Sequence, residues 1–169
     1  MNWIGISGSW RATSVEVEKD VRDFVRDAIQ RGDGIVTGGA LNVDYFSTDE
    51  ALKYDSTARL IKVFIPATLE RYASHYRKRA NEGVITHEQA EQLIAQLAEL
   101  KKRNPNALIE NSINETIDTA NYYSRNTDVV DASDELAAFQ VNESKGTQDT
   151  IDKARAQGKK VFLKQYSVA

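Results

Sequence analysis

Short apolar runs alternate along the chain with longer stretches in which apolar residues recur at helical spacing. Trp3-Ile4-Gly5-Ile6-Ser7 is the first run; it ends in Gly8-Ser9, after which Thr13 or Ser14 provides a helix cap. Val17, Val21, Phe24, Val25, Ala28 and Ile29 then form one apolar stripe with charged residues opposite, and Arg31-Gly32-Asp33-Gly34 stops it. Ile35-Val36-Thr37, the loop Gly38-Gly39-Ala40 and a helix from about 42 to 54 repeat the unit. A third strand over 60–65 closes at Pro66, which cannot supply a ladder hydrogen bond. Helices are predicted over 69–81 and up to about 103, the second opened by Thr86 with Gln89 three residues on, a capping-box pattern. After Asn104-Pro105 come a short apolar stretch at 107–109, a helical region over 115–132 and a strand over 135–141. The chain closes with a helix over 147–157, Gly158 as its C-cap and a strand over 160–164.

Buried strands alternating with amphipathic helices imply a doubly wound α/β domain, with a mainly parallel sheet covered by helices on both faces. The expectation is one Rossmann-like domain over 1–169 with a helical insertion at about 69–115. The stripe Ala90, Leu93, Ile94, Leu97, Leu100 within that insertion reads either as ordinary core or as a seam between copies of a homo-oligomer.

Composition narrows the partners. With 22 Lys plus Arg against 25 Asp plus Glu the formal charge is -3, so nucleic acid is not expected as the main partner. There is no cysteine, hence no disulfide and no thiolate, which suits a cytoplasmic protein; with only 2 histidines a metal site is not expected either. No apolar stretch approaches the roughly 20 residues of a membrane span.

In an open α/β sheet, ligands bind beyond the carboxyl ends of the strands. Three strand-to-helix junctions carry small residues there: Gly8-Ser9-Trp10-Arg11, Thr37-Gly38-Gly39-Ala40 and Ser144-Lys145-Gly146-Thr147-Gln148. Glycine lets a ligand approach the main chain and helix-start N–H groups favour an anion, so a phosphate is the expected occupant. Neither the dinucleotide string nor the P-loop string occurs. Asp44, at a helix start just past the second loop, is the candidate catalytic carboxylate, or simply an acid interacting with the helix dipole. Glu110 and Asp149 are weaker candidates by position. The basic aromatic stretch from Tyr72 to Arg79, which includes His75, reads as a stacking surface or a solvated helix face.

The loop Gly5-Ile6-Ser7-Gly8-Ser9-Trp10-Arg11 resembles the first-strand loop of a Rossmann-like superfamily that unites DNA-processing protein A (Smf) with LOG-type, lysine-decarboxylase-like phosphoribohydrolases. Ile35 to Asp44 with Ala51-Leu52, Arg125-Asn126 with Ser133-Asp134, and Gly146-Thr147 to Val161 are similar to the DNA-processing branch, in the same order. The resemblance implies a nucleotide or phosphorylated small molecule, with no separate cofactor, held by Gly8, Ser9, Arg11, Gly38, Gly39, Arg125, Gly146 and Thr147. Thr37, Ala40, Asn126, Lys145 and Gln148 flank these positions, and Arg125 would clamp the anion. Asn42 stands where that branch usually has glycine, and Thr150 where LOG-type enzymes have a glutamate. The expected function is therefore ligand binding, with an N-glycosidase as the alternative and a DNA-processing accessory role third.

Overall fold

The computed structural model describes residues 1–169. In chain order the elements are β1 (Trp3–Gly8), α1 (Val15–Gln30), β2 (Gly34–Thr37), α2 (Val43–Tyr54), β3 (Ile61–Phe64), α3 (Leu69–Asn81), α4 (His87–Arg103), β4 (Leu108–Ile109), α5 (Thr119–Asp131), β5 (Glu135–Val141), α6 (Lys145–Ala156) and β6 (Val161–Tyr166). The six strands form one sheet in the order β4-β3-β2-β1-β5-β6, and every pairing is parallel. This is the doubly wound α/β fold that the apolar pattern predicts.

The order fixes where a ligand belongs. The chain steps outward from β1 to β4, then returns to lay β5 on the other side of β1, with Ile4 beside both Ile35 and Glu135. The β1–β5 boundary is thus the point where the winding reverses, and the loops after these strands diverge to leave a crevice.

Packing follows the sequence stripes. Val17, Val21, Val25, Ala28 and Ile29 of α1 are buried, while Phe24 is only partly so and meets Phe139 edge-on and Phe162 in a stack. On α4, Ala90, Leu93, Leu97 and Leu100 are buried in the main core, as ordinary core packing of the stripe requires, and Ile94 is half-buried beside them. The segment from 69 to 115 is not wholly helical, because Leu108–Ile109 joins the sheet edge beside β3. No helix is long and apolar enough to cross a membrane.

Caps decide the element ends. Ser14, not Thr13, caps α1, its hydroxyl accepting from Val17 N at 3.2 Å, and Thr86 with Gln89 forms the full capping box on α4. The helix expected from 115 starts only at Thr119, because the Asp118 carboxylate accepts from Asn121 N and so sets the first turn there. α6 begins at Lys145, two residues before the expected start, and β6 runs on to Tyr166.

Candidate functional site

Three loops meet at the reversal point. Gly8 ends β1 because α2 packs directly on it: a Cβ there would lie 2.4 Å from Val43 Cγ2. Beyond it the Ser9 hydroxyl accepts from Arg11 N and Ala12 N, folding the loop back on itself. Asn42 does take a positive φ at its glycine-like position, φ 61° with ψ -108°, outside the left-handed helical region, and its side-chain amide donates to the Trp10 carbonyl. The first two loops are thereby tied together. In the third, Asn142 and Glu143 both have positive φ, an arrangement costing roughly 1–2 kcal/mol for a residue such as Glu. Asn142 is held there by a reciprocal pair of 2.8 Å bonds with the Val168 backbone.

Between these loops, α3 and α5 lies a cavity of about 760 Å³, within the range of small-molecule sites. Of the residues singled out from the sequence, Gly8, Ser9 and Arg11 line it from the first loop, and Gly38, Ala40 and Asp44 from the second. Arg125 and Asn126 reach it from α5, and Lys145, Gly146 and Thr147 from the start of α6. Thr37, Gly39 and Gln148 do not line it. Thr37 is fully buried and its hydroxyl accepts from Gly39 N; Gly39, at φ +66°, offers its carbonyl to Tyr72; Gln148 joins Gln140 and Asp152. These three shape the loops from behind.

Arg125 is 8% exposed, and its guanidinium lies over the Tyr122 ring at 5.3 Å. Its Nη1 donates to the Gly38 carbonyl and its Nε to Asn126 Oδ1. It makes no salt bridge within the chain, and the carboxyl that feels its charge on the cavity wall is the buried Asp44. Asn126 in turn donates to the Gly146 carbonyl and to Asp149. At α6 the first intrahelical bond runs from Gln148 N to Ser144 O, and Ser144 provides no side-chain cap. The N–H groups of Lys145, Gly146 and Thr147 precede that bond, as do those of any helix that offers its N-terminus to an anion.

Asp44 is buried in the first turn of α2, with its carboxylate accepting from Ala40 N at 3.1 Å. Burial pushes its carboxyl above the usual carboxylate range, while the Arg125 charge and the backbone N–H groups of Ala40 and Gly38 pull the other way. Thr150, where a LOG-type glutamate would stand, is buried and donates to the Gly146 carbonyl at 3.1 Å. Asp149 is engaged by Lys153 and Asn126, and Glu110 is spent on Leu69 N and Lys101, away from the cavity.

The opposite wall is aromatic. His75, Tyr76 and Arg79 come from α3, Val84 and Ile85 from the turn after it, and Tyr122 and Tyr123 from α5. The Tyr122 hydroxyl meets His75 Nε2 at 3.3 Å, and Tyr72, beneath, donates to the Gly39 carbonyl at 2.9 Å. In the 72–79 stretch Tyr72, Ala73 and Tyr76 are buried while Ser74, Arg77, Lys78 and Arg79 are exposed, so its tyrosines pack and its basic side chains make the solvated face. Tyr122 and Tyr123 carry no motif signal; only their position, one turn before Arg125 on the same helix, could have pointed to them.

No protein-family model matches the sequence, and no curated protein matches it in a sequence search. Solved structures do match. DNA processing protein A from Helicobacter pylori, a single-stranded-DNA-binding protein, superposes with a TM-score of 0.67 at 18% identity over 95% of this chain. The chain spans 63% of that protein's length. DNA processing protein A from Streptococcus pneumoniae gives 0.52 at 14% identity, covering 95% of this chain and 58% of that one. The molybdenum cofactor carrier protein of Chlamydomonas reinhardtii gives 0.51 at 18% identity, covering 98% and 79%. The chain thus shares the Rossmann-like fold of the DNA-processing and related proteins that its glycine loops resemble.

Proposed function

We propose that the chain binds a nucleotide, or a nucleotide-derived phosphorylated ligand, in the cavity at the β1–β5 reversal. The observation that carries this reading is Arg125: a buried guanidinium in no salt bridge, fixed on Gly38 and opening on a cavity that also receives the first turn of α6. Asp44, which burial pushes toward its neutral form, offsets that charge only in part, and an anionic ligand supplies the rest. Arg11, Arg79, Arg125 and Lys145 line the cavity against a single carboxylate, Asp44, so the local field is opposite to the chain's net charge of -3.

Thermal melting against a panel of nucleotides tests it, because a ligand at 100 times its Kd stabilises a fold by about 2.7 kcal/mol. A shift seen with the native chain and lost in Arg125→Met supports the reading. The relationship to a single-stranded-DNA-binding fold puts short oligonucleotides in the same panel, where phosphate of either origin competes for the same cations.

A second reading, N-glycosidic hydrolysis, is favoured by one observation: Asp44 is a buried carboxyl of raised pKa on the cavity wall. Chromatography of the same mixtures for released base decides it. Accumulating base that disappears in Asp44→Asn supports hydrolysis, and intact nucleotide leaves binding alone.

A further inference from the structure

The cavity has two chemically different sides. Arg79 is held by Glu82 at 3.0 Å, so the cations without an ion pair are Arg11 and Lys145 on the loops and Arg125, which starts from α5 and reaches across to the Gly38 carbonyl of the second loop. Facing them, the α3–α5 wall offers rings and aliphatic carbon. Three large apolar side chains of this cavity are open to solvent: Trp10 is 41% exposed, Val84 40% and Tyr123 36%. Apolar surface lining a concave site is the kind of surface that a ligand covers. Tyr122 joins the two sides, since its ring lies under the Arg125 guanidinium while its hydroxyl meets His75.

We propose that the α3–α5 wall is a base subsite, in which a planar nucleobase lies against Tyr122, Tyr123, Val84, Ile85 and His75 while its phosphate lies at Arg125 and the first turn of α6. This rests on the nucleotide reading of the cavity and adds its orientation. A flat heteroaromatic ring with a phosphate on one side is the ligand shape that matches rings on one wall and free cations on the other. The segment from 69 to 85, which lies outside the stretches that resemble the DNA-processing branch, then becomes the element that recognises the base. Stacking tolerates any base, so both purine and pyrimidine nucleotides gain from this wall.

The test compares AMP and UMP with ribose 5-phosphate, which carries the phosphate without a base, by titration calorimetry. The native chain is expected to hold each nucleotide at least about tenfold more tightly than ribose 5-phosphate. In Tyr123→Ala/Val84→Ala, whose folding is verified by its melting curve, that advantage is expected to fall severalfold while ribose 5-phosphate binds as before. Equal affinities for nucleotide and ribose 5-phosphate in the native chain, or an advantage unchanged in the double variant, overturn the base subsite and leave the phosphate site standing. Absence of binding by all three compounds overturns both.

Discussion

The Arg125 guanidinium occupies the space where a side chain on residue 38 would begin: a Cβ on Gly38 would lie 2.6 Å from Arg125 Cζ. Arg125 Nη1 also donates to the Gly38 carbonyl, so the second glycine loop and α5 are locked by one contact. A residue that reads as a loop glycine is the seat of the Arg125 guanidinium.

Gly38→Ala is therefore expected to push the guanidinium aside. Overpacking of this kind costs about 1–3 kcal/mol, and the displaced cation no longer faces the ligand correctly. Denaturant melts and nucleotide titration should show both losses together. A variant of native stability and affinity would mean that Arg125 is free to move.

Gly146 behaves in the opposite way. Nothing lies within 4 Å of a Cβ built on it, and it sits in the first turn of α6 without positive φ. Gly146→Ala should keep or slightly raise the melting temperature, because alanine restricts the unfolded chain and favours helix. Its methyl group should still weaken phosphate binding by crowding the cavity. Loss of stability without loss of affinity would remove Gly146 from the site.

The Asp44 carboxyl has a folded pKa above its ordinary value of 3.8, owing to burial. A raised pKa means the folded state binds the proton more tightly, so this group's contribution to stability is fully present below pH 3.8 and is lost as pH rises through the folded value. Asn keeps an acceptor for Ala40 N without the buried charge. Asp44→Asn is thus expected to melt higher than the native chain at neutral pH, with the difference shrinking as pH falls toward 4. A difference that grows on acidification would reverse the assignment.

Tyr72→Phe removes the hydroxyl that donates to the Gly39 carbonyl and accepts from Tyr76. A buried carbonyl left unpaired costs about 1–3 kcal/mol. The chemical-denaturation midpoint should fall accordingly, while Tyr76→Phe, which leaves the Gly39 bond intact, should cost less.

The sequence carries the fold well because its strands are short apolar runs with distinct stops, and because Ser14, Thr86 and Asn42 have side chains suited to their backbone positions. The site is legible only in part. Gly8, Gly38 and Arg125 stand out from the loop pattern, but which glycines face a ligand depends on packing. Gly39 looks like its neighbour in the string and yet is turned toward Ile65 and Val63 in the core. The aromatic wall is invisible for a different reason. Tyr122 and Tyr123 acquire meaning only when α3, 46 or so residues earlier, folds over the same crevice, and no local pattern encodes that approach.

The most direct measurement is nucleotide titration of the native chain beside Arg125→Met, a substitution of similar length that removes the charge and can pack on Tyr122. The native chain should bind AMP saturably at one site, with affinity falling as salt rises, and the folded variant should lose at least about tenfold, the share of a charge-assisted phosphate contact. Equal binding by both chains, or none by the native one across the panel, would contradict an anion site built on Arg125.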